Sequence, residues 1–403
     1  MRKGALSLLY TAASQVLQSG TSFLVTLGFA QLLPPDDFGH LAGVWLVWML
    51  ILSFNRSVFA EQLLSQGLAD KRSVGYGAFF IVWISGLTCL TVAFLVGVQM
   101  PQLLPGALYM AGFVGSDAIR YWFFAGEQVG RAVVLLVEAT RFAFAALFIT
   151  LAMTGFEHTP NMWLSAVIAL VWPTAGFMTR RNVAMSGAMA FIRGKSRFEF
   201  LLALQYFFAT GISQLLPLMA LPMYGSSSFG GMRLTQSSLS PLALLGTAFQ
   251  PGMIKVFGAG RDRKTLIRNL VIGVSACSVV ACLMGVAAFW AVRVTGQHWL
   301  PKQQLQVVQE LSLPVIVALT FVLIGQPGGA VIRVLRLGGL SLAGQVIGIA
   351  ASAIAFYMVL INNGNLQDFV WAVSIGTIGT VVSTYILLGV HLGRSGFGRH
   401  AHG

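Results

Sequence analysis

Polar residues punctuate the first hydrophobic run at regular intervals: Thr11, Ser14, Gln15, Gln18 and Ser22. At about 100° per residue they fall within roughly a third of a helical wheel, and Leu, Val, Phe and Ala fill the rest. A spanning helix with one polar stripe does not turn it to lipid. The stripe lines a water-filled cavity or packs on polar neighbours. The run closes with Leu32-Leu33-Pro34-Pro35-Asp36-Asp37-Phe38-Gly39-His40. The same design returns 191 positions later (228 minus 37), where Ser228-Phe229-Gly230 aligns with Asp37-Phe38-Gly39. The preceding helices also match in polar positions: Ser14 with Gln205, Gln15 with Tyr206, Ser22 with Ser213. We read an internal duplication, the mark of a carrier built from two halves around a central site.

Hydropathy predicts about twelve spans of roughly 20 residues. They cover 6–33, 41–65, 75–99, 104–126, 132–153, 163–180, 198–222, 232–256, 266–292, 305–325, 339–361 and 368–391. The expected fold is an all-α polytopic membrane protein of two six-helix bundles, 1–190 and 191–403, around a central cavity. Basic residues sort to one set of connections: Arg2 and Lys3, Lys71 and Arg72, Arg131, a run from Arg180 to Arg197, another from Lys255 to Arg268, Arg333 and Arg336, and Arg394 and Arg399. The opposite set holds only Arg293 and Lys302, with Asp36, Asp37 and Glu157. This asymmetry places both termini in the cytoplasm. Six spans per half make the halves run in the same sense.

Composition sharpens the class. Of 403 residues, 56% are hydrophobic and 9% charged, against about 25% charged in soluble domains. Mean hydropathy is +0.79. The net charge of +13 lies between spans, which orients a chain in a bilayer and does not point to nucleic acid. Cys89, Cys277 and Cys282 all fall inside spans without metal-type spacing, as apolar packing residues do. The first helix reads as a retained anchor and not as a removable signal. The connection at about 180–198 meets anionic headgroups of the membrane lipids.

Ionisable residues inside spans are costly unless paired or hydrated. Here they are Arg56 and Glu61, Asp117 and Arg120, Glu138 and Arg141, Arg233, and Glu310. The second and third pairs are three apart and can meet on one helix face, either as self-neutralising pairs or as working groups. Arg56 and Glu61 diverge by about 140° on the wheel, so Arg56 needs a partner from elsewhere or an anionic ligand. Arg233 shares a stripe with Gln236, Ser237 and Ser240. An arginine there suits an oxyanion, whereas an interfacial anchor is the plainer role.

These segments resemble the polysaccharide transporters of the multidrug/oligosaccharidyl-lipid/polysaccharide exporter superfamily. The likeness lies in Ala5 to Gln15, Leu32 to Gly39, Arg120-Tyr121-Trp122-Phe123-Phe124-Ala125-Gly126 and Gly230-Gly231-Met232-Arg233-Leu234. The resemblance implies a V-shaped pair of bundles that flips a polyprenyl-pyrophosphate-linked saccharide from the inner to the outer leaflet of the bacterial cytoplasmic membrane. Arg56, Arg120, Arg141 and Arg233, with Gln15, Gln18 and Gln236, are the candidate substrate contacts. Only Arg120 and Arg233 sit in segments that match the family pattern. Glu61, Asp117 and Glu138 are the candidates for carrying a coupling H+ or Na+. No other cofactor and no metal site is implied. Polysaccharide assembly enzymes are the expected partners.

Two other functions compete. A cation-coupled drug or metabolite antiporter fits the same architecture. The basic turn Gly67-Leu68-Ala69-Asp70-Lys71-Arg72 only partly follows the facilitator loop. A polyprenyl-linked polymerase or ligase needs catalytic groups on sizeable outer loops, and the outward loops here are short. The chain is therefore expected not to be an enzyme.

Overall fold

The computed structural model describes residues 2–55, 88–125, 128–155, 158–178, 204, 213–240, 242, 253–254, 256–257, 263–335 and 337–394. Among the described residues the regular structure is helical, without strands. The chain divides into two compact units, Met1–Ser237 and Ser238–Gly403. The boundary expected near 190 lies outside the described residues.

The first unit contains α1 (Arg2–Leu32), α2 (Pro35–Asn55), α3 (Leu104–Ala125), α4 (Gln128–Met153), α5 (His158–Met178) and most of α6 (Ser226–Ser238). The second contains α7 (Arg263–Trp290), α8 (Lys302–Val334), α9 (Gly338–Ile361) and α10 (Leu366–Arg394). A π-helical turn at Ala291–Thr295 carries α7 on toward Trp299. Five described helical stretches are long and apolar enough to cross a membrane: Ala132–Met153, Arg263–Trp299, Lys302–Val334, Gly338–Ile361 and Leu366–Gly393. The expected span at 198–222 is broken where it is described, into Ser213–Leu218 and Ala220–Tyr224, with Pro217 in the first piece.

Two segments read as outer loops are helical instead. Pro35 opens α2, leaving only Leu33 and Pro34 as the turn. Its fixed φ and missing N–H suit the first helical position. Asp36 and Asp37 then sit in the first turn, where the helix dipole favours negative charge. Likewise α6 starts at Ser226, directly after Gly225, whose φ of +86° suits glycine.

In the first unit, α1 packs on α4 through glycines. A Cβ at Gly20 would lie 2.7 Å from the Phe142 ring, and Gly28 lies against Phe148. The Trp45 indole donates to the Gly106 carbonyl at 2.9 Å and stacks edge-on with Phe29 at 5.7 Å, tying α2 to α3 and α1. In the second unit, α9 and α10 approach closely along Gly344, Gly348 and Ser352 on one side and Gly376, Thr380 and Thr384 on the other. Small residues are what membrane helix pairs use to gain dispersion contact. The turn between them is well specified. Asn363 takes φ 50° and Gly364 N–H closes on the Val359 carbonyl at 2.8 Å, a Schellman end. Asn365 and Asp368 then cap α10 reciprocally, at 3.0 Å each way.

The two units share one packing detail, at a spacing of 209 where the sequence comparison reads 191. Ser165 on α5 donates to the Pro105 carbonyl on α3 at 3.3 Å, and Ser374 on α10 donates to the Pro314 carbonyl on α8 at 2.9 Å. The second bond lies 209 positions after the first at both ends (314 minus 105, 374 minus 165). Polar residues turn inward and apolar ones outward, as lipid demands. Ser312, Ser352 and Ser374 are buried, while Val271, Leu283, Val286, Trp290 and Ile354 are more than half exposed.

Candidate functional site

The polar stripe of α1 points into its own unit. Ser14 and Gln18 are buried, and Gln15 and Ser22 are half-buried. Gly20 rests on Phe142, so this part of α1 lies level with the charged turn of α4. There Glu138 and Arg141 are both buried and paired, with Arg141 Nη1 at 3.2 and 3.4 Å from the two carboxylate oxygens. The guanidinium also lies over the Phe113 ring, 5.4 Å from its centroid. Phe113 shares a face of α3 with Tyr109 and Asp117, four residues apart each way and all buried. Among the described residues Arg141 Nε and Nη2 have no hydrogen-bond partner. Arg141 is thus held by one acid on its own helix and one aromatic face of the next. Charge alone does not pick out Tyr109 and Phe113. Their spacing to Asp117 is the signal that finds them.

A second polar feature is α6. Arg233 is half-buried and donates from Nη1 to Gln236 Oε1 at 3.1 Å, and its Nε is buried without a partner. Among the described residues no carboxylate pairs with Arg233. Phe229, Met232 and Leu234 of the same helix are buried in the core. This arrangement fixes a guanidinium with spare donors beside an amide.

The duplicated turns meet each other, which separate spans of sequence do not disclose. Gly39 lies against the Ser226 backbone carbonyl, with no room for a Cβ. Gly230 faces Phe38 and the Gly39 backbone, where a Cβ would sit at 2.9 and 3.2 Å. Phe38 and Phe229 are fully buried, and the Ser226 hydroxyl donates to Asp36 Oδ1 at 2.6 Å. Nearby, a cavity of about 340 Å³ is lined by His40, Val44, Val47, Gln99 and Leu221 among others, and among the described residues no arginine lines it.

Arg56 and Glu61 lie outside the described residues. Arg120 lies on α3, and its side chain is not among those described. The structure therefore pairs Glu138 with Arg141 on α4, places Asp117 on the buried face of α3 that carries Phe113, joins Arg233 to Gln236 on α6, and keeps Gln15 and Gln18 on α1.

No protein-family model matches the chain, and no curated protein matches it in sequence. Solved structures do. Lipid II flippase MurJ in its inward closed conformation is similar with a TM-score of 0.65 at 12% identity, over 96% of this chain and 87% of MurJ. A MOP-superfamily transporter from Pyrococcus furiosus is similar at 0.59 and 13% identity, over 96% and 94%. A variant of the Vibrio cholerae MATE transporter VcmN is similar at 0.55 and 12% identity, over 97% and 99%. All three are transporters or flippases by name. At such identities the likeness is one of architecture, and this chain has the fold of the MOP-superfamily transporters.

Proposed function

We propose that this chain moves an anionic, lipid-linked saccharide across the bacterial cytoplasmic membrane by alternating access, with a polyprenyl pyrophosphate as the carrier lipid. The supporting observation is Arg233, a guanidinium on the polar face of α6 with no carboxylate partner among the described residues. A guanidinium fork replaces part of the hydration of a pyrophosphate or sugar acid, and Gln236 orients it. Arg56 and Arg120 are the further cations in this reading, and Arg141 contributes positive potential from behind its pairing with Glu138. The prenyl tail stays in lipid while the headgroup passes. Polysaccharide assembly enzymes would supply and consume the cargo.

The test is complementation of a deletion strain. Arg233→Ala is expected to abolish export and to leave lipid-linked sugar on the cytoplasmic face, with normal membrane insertion. Arg233→Lys is expected to restore part of the flux. Native export from Arg233→Ala removes the binding role.

A second reading, a cation-coupled drug or metabolite antiporter, is favoured by the acids buried in the first unit, Asp117 and Glu138. Unchanged lipid-linked sugar pools with new drug sensitivity on deletion would select it. Glu61, Asp117 and Glu138 are the groups through which H+ or Na+ would then couple.

A further inference from the structure

Helix α8 runs continuously from Lys302 to Val334 but has a weak point in its backbone ladder. Its segment Gly325-Gln326-Pro327-Gly328-Gly329 combines three glycines with an internal proline. Pro327 has no N–H, so the Leu323 carbonyl loses its usual partner. The next rung, between the Ile324 carbonyl and the Gly328 N–H, is bridged by a side chain from another helix. The Gly328 N–H donates to the Tyr385 hydroxyl at 3.2 Å, and that hydroxyl donates to the Ile324 carbonyl at 2.6 Å. Just before Pro327, the Gln326 amide donates to the Val322 carbonyl at 3.2 Å. Helix kinks arise where proline removes a rung and where a side chain inserts into the ladder, and this site has both.

The packing on either side of Pro327 falls into two clusters, both touched by Met253. Above it, Leu323 belongs to a cluster with Cys277 and Ala281 of α7. Below it, Ala330, Val331 and Ile332 belong to another, with Leu266 of α7 and Leu388 and Leu392 of α10. Gly328 leaves room for the tyrosine ring, because a Cβ there would lie 2.9 Å from Tyr385 Cε1. Gly329 faces open space. Counting back 209 positions, Pro327, Gly328 and Tyr385 fall on Ala118, Ile119 and Gly176. The first half has none of the three parts.

We propose that Pro327-Gly328 is a hinge built into α8, and that Tyr385 of α10 is its latch. With the hydroxyl wedged in the ladder, the two arms of α8 hold one angle. With the hydroxyl withdrawn, the arms swing independently, each moving with its own core cluster. The device belongs to the second unit alone, so the two halves do not flex alike. It holds whatever the cargo.

The experiment uses the full chain in lipid nanodiscs, with Cys89, Cys277 and Cys282 replaced by Ala. Spin labels go on Leu313, exposed on the upper arm, and on Ile267, exposed beside the lower cluster. The unsubstituted tyrosine is expected to give one narrow distance. Tyr385→Phe keeps the ring and deletes the latch, and is expected to broaden the distribution about twofold or split it. Adding Pro327→Ala to Tyr385→Phe returns an N–H to the ladder and is expected to restore a single narrow distance. A native distribution in Tyr385→Phe overturns the latch. A double variant as broad as the single one overturns the hinge, because the loosening would then come from α10 packing.

Discussion

At the scale of single residues, two arginines that look alike in sequence have different surroundings. Arg141 is buried with a carboxylate, while Arg233 is half-buried beside an amide. Breaking a buried pair strands a charge and costs roughly 3–5 kcal/mol, whereas replacing both members with apolar groups costs little. Glu138→Gln is therefore expected to lower thermal stability sharply, by an amount in that range. Glu138→Leu with Arg141→Met is expected to recover most of it. Thermal unfolding in detergent measures both, and a Glu138→Gln chain that melts like the native one would show that Arg141 finds another counter-charge. The spacing of three between these residues makes the pair legible in sequence. The Phe113 ring over Arg141 is not, because it comes from α3.

At the scale of elements, glycines determine which helices meet. At Gly39 the obstacle to a side chain is the Ser226 carbonyl, a backbone group that cannot rotate away. Gly43, one turn on, has its nearest neighbour at 3.7 Å. Gly39→Ala should thus force α2 and α6 apart at a cost of about 1–3 kcal/mol, as overpacking does. Gly43→Ala should be neutral. Equal unfolding temperatures for the two variants would refute this close crossing. The sequence shows the motif and its repeat 191 positions on. It does not show that the two copies pack against each other, since contact between distant segments depends on how the intervening helices return the chain.

At the scale of the whole molecule, the basic residues remain the best guide to orientation. In the second unit, the cluster joining Leu266, Val331 and Leu392 draws together the ends that carry Lys264, Arg268 and Arg333. Arg293 and Lys302 belong to the far ends of α7 and α8. The positive-inside rule would put the first of these ends in the cytoplasm. A cysteine placed at Asn363, exposed in the turn before α10, should react with a membrane-impermeant thiol reagent added from outside intact cells, in a cysteine-free background. Reaction only after the membrane is breached would reverse the orientation.

What the sequence determined by itself is whatever follows from local composition and period. The helical class, the polar stripe of α1 and the closeness of Glu138 to Arg141 all arise from composition or from residues a few turns apart. Helix ends were less legible, because Pro35 and Ser226 read equally well as loop residues or as first helical positions. Only the tertiary structure decided which polar groups face each other. It set Arg141 under Phe113, joined Gly39 to Ser226, and brought the Tyr385 hydroxyl into the backbone of α8. The reason is physical. In lipid each helix satisfies its own backbone, so sequence specifies the helices one at a time. Their mutual packing rests on shape and on the few polar groups that must find partners across them.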